Sequence, residues 1–224
     1  MRLRTTKKKR VLFSRRRKHI VVSAVRRSSV KPRKNQQLKI ALAGSAGTGR
    51  TIIAQRLGET LRLPVLTGIA RRVLREDQYV YSQSNDVSVE KFLAVPERQL
   101  RILKHRLELE RKHESFIVDR SWVDQAAYAL IELYDRPDFD LTSFLDDCRD
   151  EARKFDLTVY VPWGRCPLAD NGLRTLNPWY QLIVDSVVFN LIHKWELRHV
   201  SLPNNLSVKN AVKFIAKEAR KVKK

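Results

Sequence analysis

The chain contains two cysteines, Cys148 and Cys166. That number excludes a disulfide scaffold and a cysteine-based metal cluster, and free thiols in a reducing compartment are expected. No segment approaches the roughly 18 consecutive apolar residues of a membrane-spanning helix, so no transmembrane segment is expected. The five histidines, at 19, 105, 113, 193 and 199, show no ligand spacing. The serines lack the strand-turn-helix setting of a nucleophile elbow, and no internal repeat is present. The most pronounced absence is local: residues 1–37 contain no Asp or Glu.

Those 37 residues hold 15 of the 45 Lys and Arg, which leaves 30 basic and 24 acidic residues, a net of +6, in 38–224. A segment of one sign repels itself and buries too little apolar surface to offset its ordering entropy. We therefore expect a basic disordered tail over 1–37 and a folded domain over 38–224. The runs Lys7 to Arg10 and Arg15 to Lys18 would attract a polyanion, nucleic acid or an anionic membrane surface. A solubilising extension or an organelle-targeting role suits the same composition. A cytoplasmic or other intracellular location is the expectation for the body.

Hydrophobic residues make up 43% of the chain, ordinary for a soluble globular protein. Short apolar runs at Leu38–Gly44, Leu63–Gly68, Ser115–Arg120, Asp156–Pro162 and His199–Pro203 read as buried strands. Between them lie helical patterns, including Thr48–Leu61, Ala70–Asp77, the charged helix from Pro96 with Leu100, Leu103, Leu107 and Leu109, and Trp122–Leu133. Further helices are predicted at Leu141–Lys154, Trp179–Leu197 and Ser207–Val222. Residues 78–95 are polar and irregular, suited to a substrate loop. The alternation predicts an α/β three-layer sandwich, a five-stranded, mostly parallel sheet with helices on both faces. Ligands of such sheets bind beyond the carboxyl ends of the strands, here after Ala43, Leu66, Val118, Val161 and Leu202.

One of those loops carries chemistry. Gly44, Ser45, Ala46, Gly47, Thr48, Gly49, Arg50 and Thr51 read GSAGTGRT, the spacing of a phosphate-binding loop except that arginine stands where lysine is expected. A strand precedes it and a helix follows, as the motif requires. Its glycines permit backbone geometry closed to other residues, so that amides converge on a β-phosphate at a helix N-terminus. Thr51 is set to ligate Mg²⁺. Arginine at 50 can neutralise phosphate, yet it is larger and more rigid than lysine, so binding should survive better than turnover. At the tip of the third strand, Asp119 could hold Mg²⁺ or act on a substrate hydroxyl, and Arg120 could clamp a phosphate.

The run Asp119 to Leu130 (DRSWVDQAAYAL), downstream of the loop and of ERQLRILKHRLELE, resembles P-loop nucleoside and nucleotide kinases, most narrowly the ribosylnicotinamide-kinase-like P-loop ATPase domain family of AAA type. The matching positions are Asp119, Arg120, Asp124, Ala127 and Tyr128. The family's lid segment is matched by Asp170, Gly172 and Arg174 in ADNGLRTLNPWYQ. The resemblance covers about residues 38–220 and implies a P-loop NTPase fold, ATP or GTP with Mg²⁺, and phosphotransferase or ATPase activity. It implies catalytic roles for Arg50, Asp119, Arg120 and the lid arginine Arg174, and substrate contacts for Asp124 and Asp170. Three departures stand against it: Arg50, Gly68 in place of an acid after the second strand, and Asn171 in place of a lid aspartate. Two functions follow as expectations, a kinase of a nucleoside, nucleotide or related metabolite, and a weakened nucleotide-binding structural protein tethered to RNA or DNA by its tail.

Overall fold

In the computed structural model, the structure describes residues 37–77, 95–167 and 175–222. Residues 35–224 group as one compact unit. Five strands pair in the order β2-β3-β1-β4-β5, all parallel. They are β1 (Lys39–Ala43), β2 (Val65–Leu66), β3 (Phe116–Asp119), β4 (Leu157–Tyr160) and β5 (His199–Ser201). The helices are α1 (Arg50–Leu61), α2 (Ile69–Glu76), α3 (Val95–Glu110), α4 (Trp122–Leu133), α5 (Leu141–Ala152), α6 (Pro178–Lys194) and α7 (Val208–Val222). The parallel three-layer architecture expected from the alternation of elements is the observed one.

Successive strand residues point to opposite faces, and this builds two cores. Phe116, Val118, Ala41 and Ala43 face α4, α5 and α6 through Val123, Ala127, Phe144, Cys148 and Val188. Ile40, Leu42, Ile117 and Val159 face α1 and α7 through Ile53, Leu57, Ala211, Ile215 and Ala219. The central strands are apolar on both sides because helices cover both. Gly58 has a packing role inside α1: an added Cβ would lie within contact distance of the Val65 side chain and 3.0 Å from the Leu63 carbonyl oxygen.

One helix buries more than its leucine pattern indicates. In α3, Leu100 is 47% exposed and Leu103, Leu107 and Leu109 are half-buried. The side turned inward carries Arg98, Gln99, Ile102, Arg106 and Glu110. Arg106 Nε and Glu110 Oε1 on this face have no hydrogen-bond partner among the described residues, and Arg98, Gln99, Ile102 and Arg106 form one wall of the site below.

The helix after β1 and the helix after β3 lie on opposite faces of the sheet. Adjacent parallel strands with diverging helices leave a crevice at their carboxyl ends, and Gly44 and Arg120 open from its floor.

Candidate nucleotide site

The loop from Gly44 to Gly49 has positive φ at Gly44 (143°), Gly47 (78°) and Gly49 (76°), where a side chain would be strained. At Gly44 there is also no room, since a Cβ would collide with the Val161 carbonyl oxygen of the neighbouring strand end. α1 then begins with Gly49 as its N-cap, without a side-chain cap and without an acid in its first turn. Its leading N–H groups are thus left to an anion. α2 starts the same way at Gly68 (φ 78°), with no side-chain cap and no acid. Both helix N-termini border one cleft of about 420 Å³.

Asp119, at the end of β3, is buried. Its Oδ2 accepts from the Thr51 hydroxyl at 2.6 Å and from the Thr67 hydroxyl at 3.2 Å, and Arg50 Nε lies 4.0 Å from its Oδ1. The structure therefore brings Thr51, Asp119 and Arg50 together.

Asp124 is 1% exposed. Oδ1 accepts from the Gly44 amide at 3.1 Å and from Arg50 Nη1, and Oδ2 accepts from the Ser121 amide (2.6 Å) and hydroxyl (2.7 Å). Ser121 and Asp124 form a capping box that starts α4. Burial alone would raise this carboxyl, but Arg50 and Arg120 beside it and the Ser121 bonds hold it below the ordinary carboxylate range. The carboxylate is fully engaged within the protein, tying the phosphate loop to α4.

Arg120 adopts φ 83°, an uncommon conformation for a residue with a side chain. Its carbonyl accepts from Arg106 Nη1 at 2.7 Å, and its guanidinium lies 5.1 Å from the Tyr128 ring centre. Arg106 is itself buried, 5.0 Å over Trp122, with Glu110 3.8 Å away and Glu110 accepting from Trp122 Nε1 at 3.0 Å. A buried α3 arginine thus supports the strained backbone at Arg120, whose side chain lines the cleft against Tyr128.

From the other side, α6 presents Gln181 and Asp185 one turn apart. Gln181 Oε1 accepts from the Ala46 amide (3.0 Å) and its Nε2 donates to the Thr175 carbonyl (3.2 Å). Asp185 accepts from the Ser45 amide at 3.5 Å and from the Tyr160 hydroxyl at 2.5 Å. Burial, then Asp185, pushes the Tyr160 hydroxyl up. On the α3 wall, Gln125 donates to Gln99, and Gln99 donates to Glu132 at 2.7 Å, with Arg98 3.9 Å from the same carboxylate. Burial raises Glu132. Arg106, Gln99, Glu132, Gln181 and Asp185 are not distinguishable in the sequence from ordinary polar helix positions. Arg174 and Asp170, with Gly172 and Asn171, lie outside the described residues, as do residues 78–94.

Among the described residues, no three His, Cys, Asp or Glu side chains gather as a metal site, and no helix is long and apolar enough to cross a membrane. No curated protein matches the chain in sequence. Solved structures match in fold. Deoxyadenosine kinase from M. mycoides with dCMP and dCDP bound is similar with a TM-score of 0.58 at 14% identity, over 82% of this chain and all of that one. The NadR protein in complex with NR gives 0.56 at 14% identity, over 81% of this chain and 50% of that one. The YorR protein from Bacillus subtilis gives 0.51 at 16% identity, over 81% and 95%. These likenesses establish a P-loop kinase-like fold. The family model described as AAA domain matches residues 39–206, and with the strand, glycine loop and helix in the arrangement just described, this chain belongs to that P-loop family.

Proposed function

We propose that the chain transfers a phosphoryl group from ATP or GTP, with Mg²⁺, to a nucleoside, nucleotide or related metabolite. The observation that carries this is the meeting of Thr51 and Asp119 at 2.6 Å beside a helix N-terminus that has no cap of its own. A hydroxyl and a carboxylate are hard oxygen ligands, and Mg²⁺ in such sites takes one or two protein oxygens plus substrate phosphates. Ser45 Oγ, buried on the loop without a partner, is a further polar atom suited to a ligand. The residues present fit a magnesium nucleotide.

When bound, the magnesium nucleotide supplies the phosphoryl group and screens its charge. The chain supplies position. The loop amides and the first turn of α1 hold phosphate oxygens, and Arg120 stabilises charge on the transferring side. Asp119 orients the metal or the acceptor hydroxyl. Gln99, Gln125 and Glu132 line the opposite wall and orient the acceptor by hydrogen bonds. Purified chain with γ-labelled ATP and a panel of nucleosides should yield labelled product. Absence of transfer, with Asp119→Ala indistinguishable from wild type, would remove the enzyme reading.

A second reading, a nucleotide-binding protein with weak turnover that is tethered by its basic tail, is favoured by Arg50. Its guanidinium is 5% exposed and is engaged with Asp124 rather than free over the loop. Arg50→Lys separates the two readings. A large gain in label transfer would mark the natural site as weakened, and a loss would mark the arginine as adapted to its place.

A further inference from the structure

Charge is distributed unevenly across the sheet. On one face, α5 carries Asp146, Asp147, Asp150 and Glu151 against Arg149 alone. On the other, α7 carries Lys209, Lys213, Lys217, Arg220 and Lys221 against Glu218 alone, and Glu218 is bonded to Lys221 at 2.7 Å. The remaining four cations are exposed and pair with no acid among the described residues.

Their spacing aligns them. At 100° per residue, positions 209, 213, 217 and 220 fall in a sector of roughly 80° and extend along about 16 Å of helix axis. Like charges four residues apart weaken a helix, so this row persists against its own repulsion. The apolar side of α7, with Ala211, Ile215 and Ala219, is buried against α1 and the sheet, which fixes the basic row toward solvent.

We propose that this face of α7 binds the phosphate backbone of a nucleic-acid duplex without reading its sequence. Phosphate contacts of this kind position a protein and carry no base information. A straight, rigid row suits a straight, rigid polyanion. Single-strand binding draws on exposed aromatic platforms, and this face has none, since Phe214 packs against the core. Membrane-surface helices need an exposed apolar side, and that of α7 is committed to the interior. The acidic α5 on the opposite face repels the same polyanion and so orients its approach.

The test compares the full chain with K209Q/K213Q/K217Q/R220Q, by fluorescence anisotropy on a mixed-sequence DNA duplex of about 20 base pairs between ~50 and ~200 mM salt. Residues 1–37 are the same in both proteins, so the readout is the difference in slope and not loss of binding. Each phosphate contact contributes about 0.9 to the slope of log K against log salt, so the variant should be shallower by about 3 to 4. K209Q/K213Q should lose about half of that. Equal slopes, with unchanged thermal midpoints, would overturn the proposal. So would a loss confined to a single strand of the same length, or to vesicles of anionic lipid.

Discussion

Asp124 offers the sharpest test of the site's construction. It takes four donors from three places, the Gly44 amide, Arg50, and the amide and hydroxyl of Ser121. Asp124→Ala would leave Arg50, 5% exposed, charged and without its closest partner. Breaking a buried pair from one side costs about 3–5 kcal/mol; Ser121 still caps α4, and only the reciprocal half of the capping box is lost. A loss of that size is a large share of the roughly 5–15 kcal/mol total of a folded domain. Arg50→Met in the same background removes the stranded charge and should restore most of the loss. The assay is urea unfolding of wild type, both single variants and the double variant, read as a cycle. A coupling of about 3 kcal/mol between positions 50 and 124 is expected. If Asp124→Ala cost under about 1 kcal/mol, or Arg50→Met were equally harmful in both backgrounds, the carboxylate would not be the anchor described above.

Gly→Ala within a helix normally stabilises by about 1 kcal/mol, but Gly58→Ala should lower the thermal midpoint, because the new methyl meets Val65 and the Leu63 carbonyl. The folded-state pKa of Asp124 lies below its unfolded value, so its contribution is present above an unfolded pKa of about 3.9 and is lost as pH falls through the folded value. Stability of Asp124→Ala should accordingly fall less than that of wild type on acidification over this range, as measured by urea midpoints. Cys148 is buried, and burial pushes its thiol up to about 12, whereas Cys166 is exposed. A thiol reagent should therefore label native protein at Cys166 alone. ATP–Mg²⁺ should slow that labelling, because Cys166 Sγ would stand 3.2 Å from a Cβ at Gly49; equal rates with and without nucleotide would contradict a ligand in the loop.

The parts of the site that are contiguous in the chain were legible in the sequence. GSAGTGRT between a strand and a helix, and Asp119 at a strand tip, are local patterns whose geometry the backbone enforces. Asp124 was half legible. Its place three residues after Ser121 is a helix-start signal, but its bonds to Gly44 and Arg50 span 80 and 74 residues. Arg106, Gln181 and Asp185 were not legible. Helical periodicity finds the apolar stripe, not which polar side chain is turned inward: in α3, Leu103, Leu107 and Leu109 pack against the core beside Arg98, Gln99 and Arg106, which the helix also buries.

The arginine at position 50 now has a physical account. Lysine presents one compact charge on a flexible stem, while arginine presents a planar fork that can reach two acceptors. Here Nη1 engages Asp124 and Nε lies 4.0 Å from Asp119, so one side chain joins the two carboxylates behind the loop. That use of the charge lowers what it can offer to a phosphate. Arg120 and Arg71 also line the cleft; Arg120 already bonds Tyr128 and lies in the field of Asp124 and Asp119, whereas Arg71 is exposed. In the proposed reaction a phosphate entering the loop would meet the amides first, with Arg50 fixing the frame. The substitution changes which partner the charge serves: at position 50 it holds the frame of the loop through Asp124.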